Sequence, residues 1–453
     1  MGQTLSEPVV DKKSDEGQDD RVAFGVSAMQ GWRISMEDAH AAILDLQPLE
    51  GDKELKPATS DVRISFFGVY DGHGGDKVAL YTGEHLHEIV AKQDSFKSKD
   101  FEQALKDGFL AIDRAILSDP KYEEEVSGCT ASVGIITHDK IFVGNAGDSR
   151  SVLGIKGRAK PLSFDHKPQN EGEKARICAA GGFVDFGRVN GNLALSRAIG
   201  DFEFKKSADL PPEQQIVTAY PDVTVHEMGV EDEFLVIACD GIWDCQSSQA
   251  VVEFVRRGIA AKQELHAICE NMMDNCLASN SETGGVGCDN MTMIVIALLR
   301  GQTKEEWYKK IGERVANGDG PCAPPEYAEL RGPGMHHRFD DSPDDYDMDM
   351  DQRTRMLGHG GDDDVDMEDR VTEVDDASLE ETDEEAVQRN QQKNNEDRSQ
   401  REGTPAPPAA GQDSNTQQPS GQSGVVPEKI LPVLYDKPSA SASGGQDGNE
   451  KTK

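Results

Sequence analysis

Cysteine is sparse in this chain of 453 residues: there are eight, and no two form a C-x-x-C pair. With no secretory signal pattern ahead of them, reduced thiols in a cytosolic or nuclear protein are the expectation. Long apolar runs are missing as well. None reaches the ~18 residues of a membrane span. Positive charge is in short supply, with 47 Lys and Arg against 84 Asp and Glu, a formal net charge of -37. That balance excludes nucleic acid as a partner, because phosphate neutralisation needs clustered cations. It also excludes a general basic membrane patch. The acid is uneven: Asp340–Glu385 holds 21 carboxylates against three arginines, about half of the net charge.

What is present divides the chain into segments. Residues 1–20 are polar, and a flexible N-terminus is expected. Its opening Met1-Gly2-Gln3-Thr4-Leu5-Ser6 fits an N-myristoylation pattern. One acyl chain would give only weak, reversible membrane contact. Residues 21–300 carry the folding signals. Apolar, β-branched runs at Arg63–Tyr70, Ala131–Thr137, Lys140–Val143, Ser151–Ile155, Glu233–Cys239 and Met291–Leu299 read as strands. Phe101, Leu105, Phe109, Ile112 and Ile116 recur at helical spacing. Lys77–Val90 and Ser248–Leu277 also read as helical. Several strands follow one another without an intervening helix. This favours an α+β fold of antiparallel sheets with helices outside over a doubly wound parallel sheet. Residues 301–330 allow a short helical extension at Lys304–Val315. Residues 331–453 read as a disordered acidic and polar tail, too poor in apolar surface to offset the entropy of ordering.

Three of the apolar runs end in, or begin after, an aspartate beside a turn former. Phe66–Tyr70 leads into Asp71-Gly72-His73-Gly74-Gly75, Phe234–Cys239 into Asp240-Gly241, and Asp289-Asn290 precedes Met291–Ile296. Any single strand-end Asp-Gly is more often a plain turn. Three that converge would form a cluster unfavourable without cations. Its all-oxygen character would suit Mg2+ or Mn2+ rather than zinc.

Eight motifs extend that pattern. They are Arg33-Ile34-Ser35-Met36-Glu37-Asp38, Asp71–Gly75, Ser127-Gly128-Cys129-Thr130-Ala131, Asn145-Ala146-Gly147-Asp148-Ser149-Arg150 and Asp165-His166-Lys167-Pro168. Arg188–Gly191 with Leu195–Asp201, Cys239–Asp244 and Asp289–Thr292 complete the set. In this order they resemble the metal-dependent serine/threonine protein phosphatases of type 2C, and most of all a fungal-like branch with an acidic C-terminal tail. The resemblance implies two packed antiparallel β-sheets flanked by antiparallel α-helices, a four-layer αββα arrangement. It implies a phosphatase domain over residues 21–300 that hydrolyses phosphoserine and phosphothreonine with metal-activated water and no covalent intermediate.

The resemblance also implies residue roles. Asp71 would bridge two Mg2+ or Mn2+ ions, with Glu37 and the Gly72 carbonyl on one and Asp240 and Asp289 on the other. Asp38 would act from behind the ligands, and Asp148 would hold a weaker third ion. Asp201 and Asp244 would support them. Arg33 would offset phosphoryl charge and His73 would protonate the leaving oxygen. Phosphorylated proteins, among them protein kinases, are the implied partners of a monomer in cytoplasm and nucleus. A catalytically silent scaffold acting through the acidic tail is the alternative. It predicts missing ligands, and none is missing from the sequence. A two-metal nuclease fits the carboxylates but not the charge.

Other chemistries fail on spacing. A cysteine phosphatase needs C-x5-R, and no cysteine here has arginine at the sixth following position. The alternating aspartates Asp345 to Asp351 lack the glycine and glutamate of an EF-hand. The stretch Asp165–Asp201 is either a cationic flap beside the cleft or a solvated loop. Lys429–Tyr435 is a small apolar island in the tail, either a docking peptide or a chance cluster.

Overall fold

The computed structural model describes residues 4–47, 63–281 and 285–328. Gly2, the acidic run and the remainder of the tail lie outside the described residues.

Strands in chain order are β1 (Thr4–Gln18), β2 (Val22–Arg33), β3 (Ala39–Ile43), β4 (Ser65–Tyr70), β5 (Ala131–Ile136), β6 (Lys140–Ala146), β7 (Arg150–Ile155), β8 (Arg158–Pro161), β9 (Asp222–Glu227), β10 (Asp232–Ala238) and β11 (Met291–Leu298). One sheet runs β1-β2-β11-β10-β7-β8 and the other β9-β6-β5-β4-β3, with every neighbour antiparallel. The helices longer than a single turn are α1 (Lys77–Lys92), α2 (Phe101–Ser118), α3 (Glu171–Ala179), α4 (Ser248–Ala260), α5 (Leu265–Cys276) and α6 (Lys304–Ala316).

Alternation along the strands builds four layers. On β10, Leu235 and Ile237 face the middle of the sandwich, where they meet Phe67 and Val69 of β4. Phe234, Val236 and Ala238 face the other way, into a core shared with α4, α5 and α6. Phe66 of β4 likewise turns outward to α1 and α2. The period of two thus places successive residues in different cores. The α+β sandwich expected from the strand order is the observed fold.

Two expectations are corrected and one open alternative is narrowed. Residues 4–18, expected to be flexible, form β1 on the edge of the first sheet. An edge strand needs backbone partners rather than apolar side chains, so its polar sequence hid it. It is also pinned to α5 by Lys12 to Asp274 and Ser14 to Glu270, both at 2.6 Å. Ser248–Leu277 is two helices, broken at Lys262, which takes a positive φ of 59°. Asp165–Asp201 is more than a loop. It contains α3 and a small hairpin, and Ile177, Val189 and Ala198 join Phe204 and Val217 in a core of their own.

Candidate metal centre

Register brings the strand ends together. Ala238 at the end of β10 pairs with Met293 of β11, and Met291 pairs with Met29 of β2. Asp240, Asp289 and the Arg33 end of β2 therefore meet at one end of the first sheet. β4 of the facing sheet delivers Asp71 to the same place. A cavity of about 550 Å3 there is lined by Arg33, Glu37, Asp71, Gly72, His73, Asp148, Asp240 and Asp289. These are eight of the nine site candidates named from the sequence. The ninth, Asp38, is buried behind them, close to Asp71 and Cys239.

The electrostatics of this cluster are unfavourable to charge. Loss of water raises the pKa of Asp71 well above the carboxylate range, and the charges of Asp240, Asp38, Asp148 and Asp289 add to it. Asp240 is raised well above that range by burial and by Asp148, Asp289 and Asp244. Burial lifts Asp38 to about 6. Its Oδ2 accepts from Thr292 Oγ1 at 2.7 Å, while its Oδ1 is buried with no partner. An orphaned carboxylate oxygen beside further under-neutralised carboxylates fits a divalent cation and its water. Cys239 is no ligand here. Burial and neighbouring Asp38 push its thiol well up, and its sulfur is occupied by Thr292 N–H and Asn290 O.

The groups around the cluster are held firmly. Ser35 Oγ donates to Glu37 Oε1 at 2.7 Å, and Gly75 N donates to Glu37 Oε2 at 3.2 Å. The Asp71 amide donates to Thr130 Oγ1 at 3.2 Å. Arg33 Nη2 donates to Asp289 Oδ2. His73 Nε2 lies 2.7 Å from Asp201 Oδ2. Burial works against the charged imidazole, but the hydrogen bond and charge of Asp201 outweigh it, and the pKa of His73 is raised. The pair fits only over a glycine, since a Cβ on Gly128 would stand 2.3 Å from Asp201 Oδ2.

Sequence reasoning missed two residues. Asn290 is buried. It donates from Nδ2 to Gln30 O and Ser35 O and accepts on Oδ1 from the Glu37 amide, so it ties the Arg33–Asp38 loop to β11. Lys167 Nζ donates to Asp148 Oδ2 at 2.5 Å. Asp148 therefore already has a cation, unlike Asp71 and Asp240. The only sequence signal was that each sits inside a motif. Asp244 stands beside the cluster, and burial raises its pKa. Arg188 and Asn192–Leu195 of the flap complete the cavity wall. Arg176 and Arg197 of the flap are spent on Glu173 at 2.7 Å each.

Comparison with known proteins gives consistent matches. The protein phosphatase 2C family matches residues 22–285. A Hypocrea jecorina protein named protein phosphatase 2C homolog 2 is 71% identical over 389 residues, covering 82% of this chain and 88% of its own. A Schizosaccharomyces pombe protein of the same name is 61% identical over 334 residues, covering 74% and 88%. A crystal structure of a phosphatase from Toxoplasma gondii superposes with a TM-score of 0.52 at 24% identity, over 64% of this chain and 96% of that one. The last speaks for the fold alone.

Proposed function

This chain belongs to the protein phosphatase 2C family and is a protein serine/threonine phosphatase, and on that premise we propose that its acidic cavity works with two Mg2+ or Mn2+ ions. The observation that supports this most is the pair of under-neutralised carboxylates, Asp71 and Asp240, with the orphaned Asp38 oxygen behind them and Asp289, partly offset by Arg33, beside them. When bound, such ions supply Lewis acidity and make water acidic enough to serve as a nucleophile near neutral pH. Asp71, Glu37, Asp240, Asp289 and the Gly72 carbonyl hold them, and Asp38 orients solvent from behind. Asp148, already paired with Lys167, offers a weaker third position.

The chain's own residues do the rest. Arg33 stands at the cavity rim, where its guanidinium can carry phosphoryl oxygens. Asp201 favours the protonated form of His73, and His73 gives that proton to the departing serine or threonine oxygen. The serine or threonine then separates as the neutral alcohol. The substrates are phosphorylated proteins. A role in turning down kinase signalling in cytoplasm and nucleus is part of the same proposal.

Asp240→Asn should cut Mn2+-dependent phosphate release from a phosphothreonine peptide by roughly 10³-fold. Undiminished turnover would remove the metal reading.

A further inference from the structure

Four cysteines lie behind the metal centre, and two of them are neighbours. Cys245 follows the single helical turn Asp240–Trp243, and Cys276 is the last residue of α5. Cys276 is buried, while Cys245 is partly open to solvent. The Cys245 thiol lies 3.2 Å from Gly241 O and 3.6 Å from Cys276 O. The other two thiols are engaged elsewhere. Cys239 is directed to Asn290 O, and Cys288 to Asn280 O at 3.7 Å. The 3.6 Å approach of the Cys245 sulfur to the Cys276 carbonyl sets the two cysteines side by side, and the neighbouring Cys245 together with burial pushes the Cys276 thiol well above the usual range.

This contact sits beneath a functional turn. Gly241 follows Asp240, and a Cβ on it would stand 2.0 Å from Asn290 O. Asn290 in turn holds the Glu37 amide. No slack separates the Cys245 contact from two of the carboxylates that line the cavity.

We propose that Cys245 and Cys276 are an oxidative modification site, closed to a disulfide by a hydroperoxide, and that closure displaces the Asp240 turn and suppresses turnover. The more accessible Cys245 sulfur attacks the peroxide O–O bond, giving a sulfenic acid and one water when hydrogen peroxide is the oxidant. The Cys276 sulfur then attacks the sulfenic sulfur. The S–O bond breaks, and hydroxide leaves with the thiol proton as a second water. Two thiols are oxidised and one peroxide is reduced to two waters. The closed pair no longer donates to Gly241 O, and the turn is drawn toward the end of α5. The cross-link is independent of the phosphatase reading, whereas its effect on turnover rests on that reading.

The test treats the full-length protein with hydrogen peroxide under native conditions, quenches with an alkylating agent, and maps disulfides by mass spectrometry. A Cys245–Cys276 cross-link is expected. With it should come loss of most Mn2+-dependent turnover and recovery on adding a dithiol reductant. Cys245→Ser should keep its basal turnover and resist the loss, and Cys276→Ala provides the second arm. A cross-link to Cys288, or none, overturns the site. A mapped cross-link with unchanged turnover, or equal loss in Cys245→Ser, overturns the regulatory effect. A protein inactive before any treatment would count against the phosphatase reading and leave the mapped cross-link to decide the site.

Discussion

Two acidic clusters stand near the same end of this molecule and obey opposite rules. In the flap, buried Glu173 accepts from Arg176, Arg197 and Ser196, and its pKa falls to about 2 because these partners overcome its burial. Arg197 also donates to Asp222 at 2.8 Å, and His166 Nε2 lies 3.2 Å from the same carboxylate. In the cavity, Asp71 and Asp240 have one another and raised pKa values. A carboxylate cluster with its cations built in holds the fold together. One without them is costly to the fold until cations arrive. The second kind is where chemistry is to be sought.

The contrast can be broken by mutation. The largest effect is expected at His73. His73→Ala should slow hydrolysis of a phosphothreonine peptide by about 10²–10⁴-fold and of an aryl phosphate far less, because only the poor leaving group needs the proton. Equal slowing of both would remove the general-acid role. In the flap, Arg197→Met should cost about 3 kcal/mol, because Glu173 stays buried with half its compensation. Thermal unfolding should register this as a Tm lower by roughly 10 °C, with Mn2+ affinity unchanged. If affinity fell in parallel, the two clusters would not be separate. Asp38→Ala should weaken Mn2+ binding by about 10–100-fold in calorimetry, as expected of a group acting behind the ligands.

The smallest effect is on pH dependence, and it sharpens the comparison because the signs differ. Asp38 has a folded pKa of about 6, above its ordinary 3.8, so the metal-free fold holds an extra proton between those values. Its contribution to stability is present at low pH and declines as pH rises toward about 6. Glu173 is depressed from 4.5 to about 2, so its contribution is full above 4.5 and is lost as pH falls toward about 2. Thermal melts in chelator should show both slopes. Saturating Mn2+ should erase the first and leave the second.

The catalytic half of the comparison was the more legible in sequence. Asp71, Asp240 and Asp289 announce themselves because an apolar run, an acid and a turn former are contiguous in the chain. The strands that frame them were harder to see. β2 is buried along nearly its whole length, with Gly25 and Ser27 interrupting its apolar residues, so no alternation of period two appears. β1 and β9 are mostly polar and lie at sheet edges. Asn290 and Lys167 owe their roles to partners 253 and 19 residues away, and no local pattern encodes such pairings. The pairing of the flap's Arg176 and Arg197 was hidden for the same reason, since Glu173 and Asp222 meet them only once folded.

Calorimetric titration of Mn2+ into chelator-treated protein at pH 6, repeated in two buffers of different ionisation heat, tests the central claim most directly. Tight binding of two ions with net proton release is predicted, since cations must expel the protons that the crowded carboxylates retain. Asp71→Asn should abolish it. Absence of binding, or binding without proton release, would contradict the account.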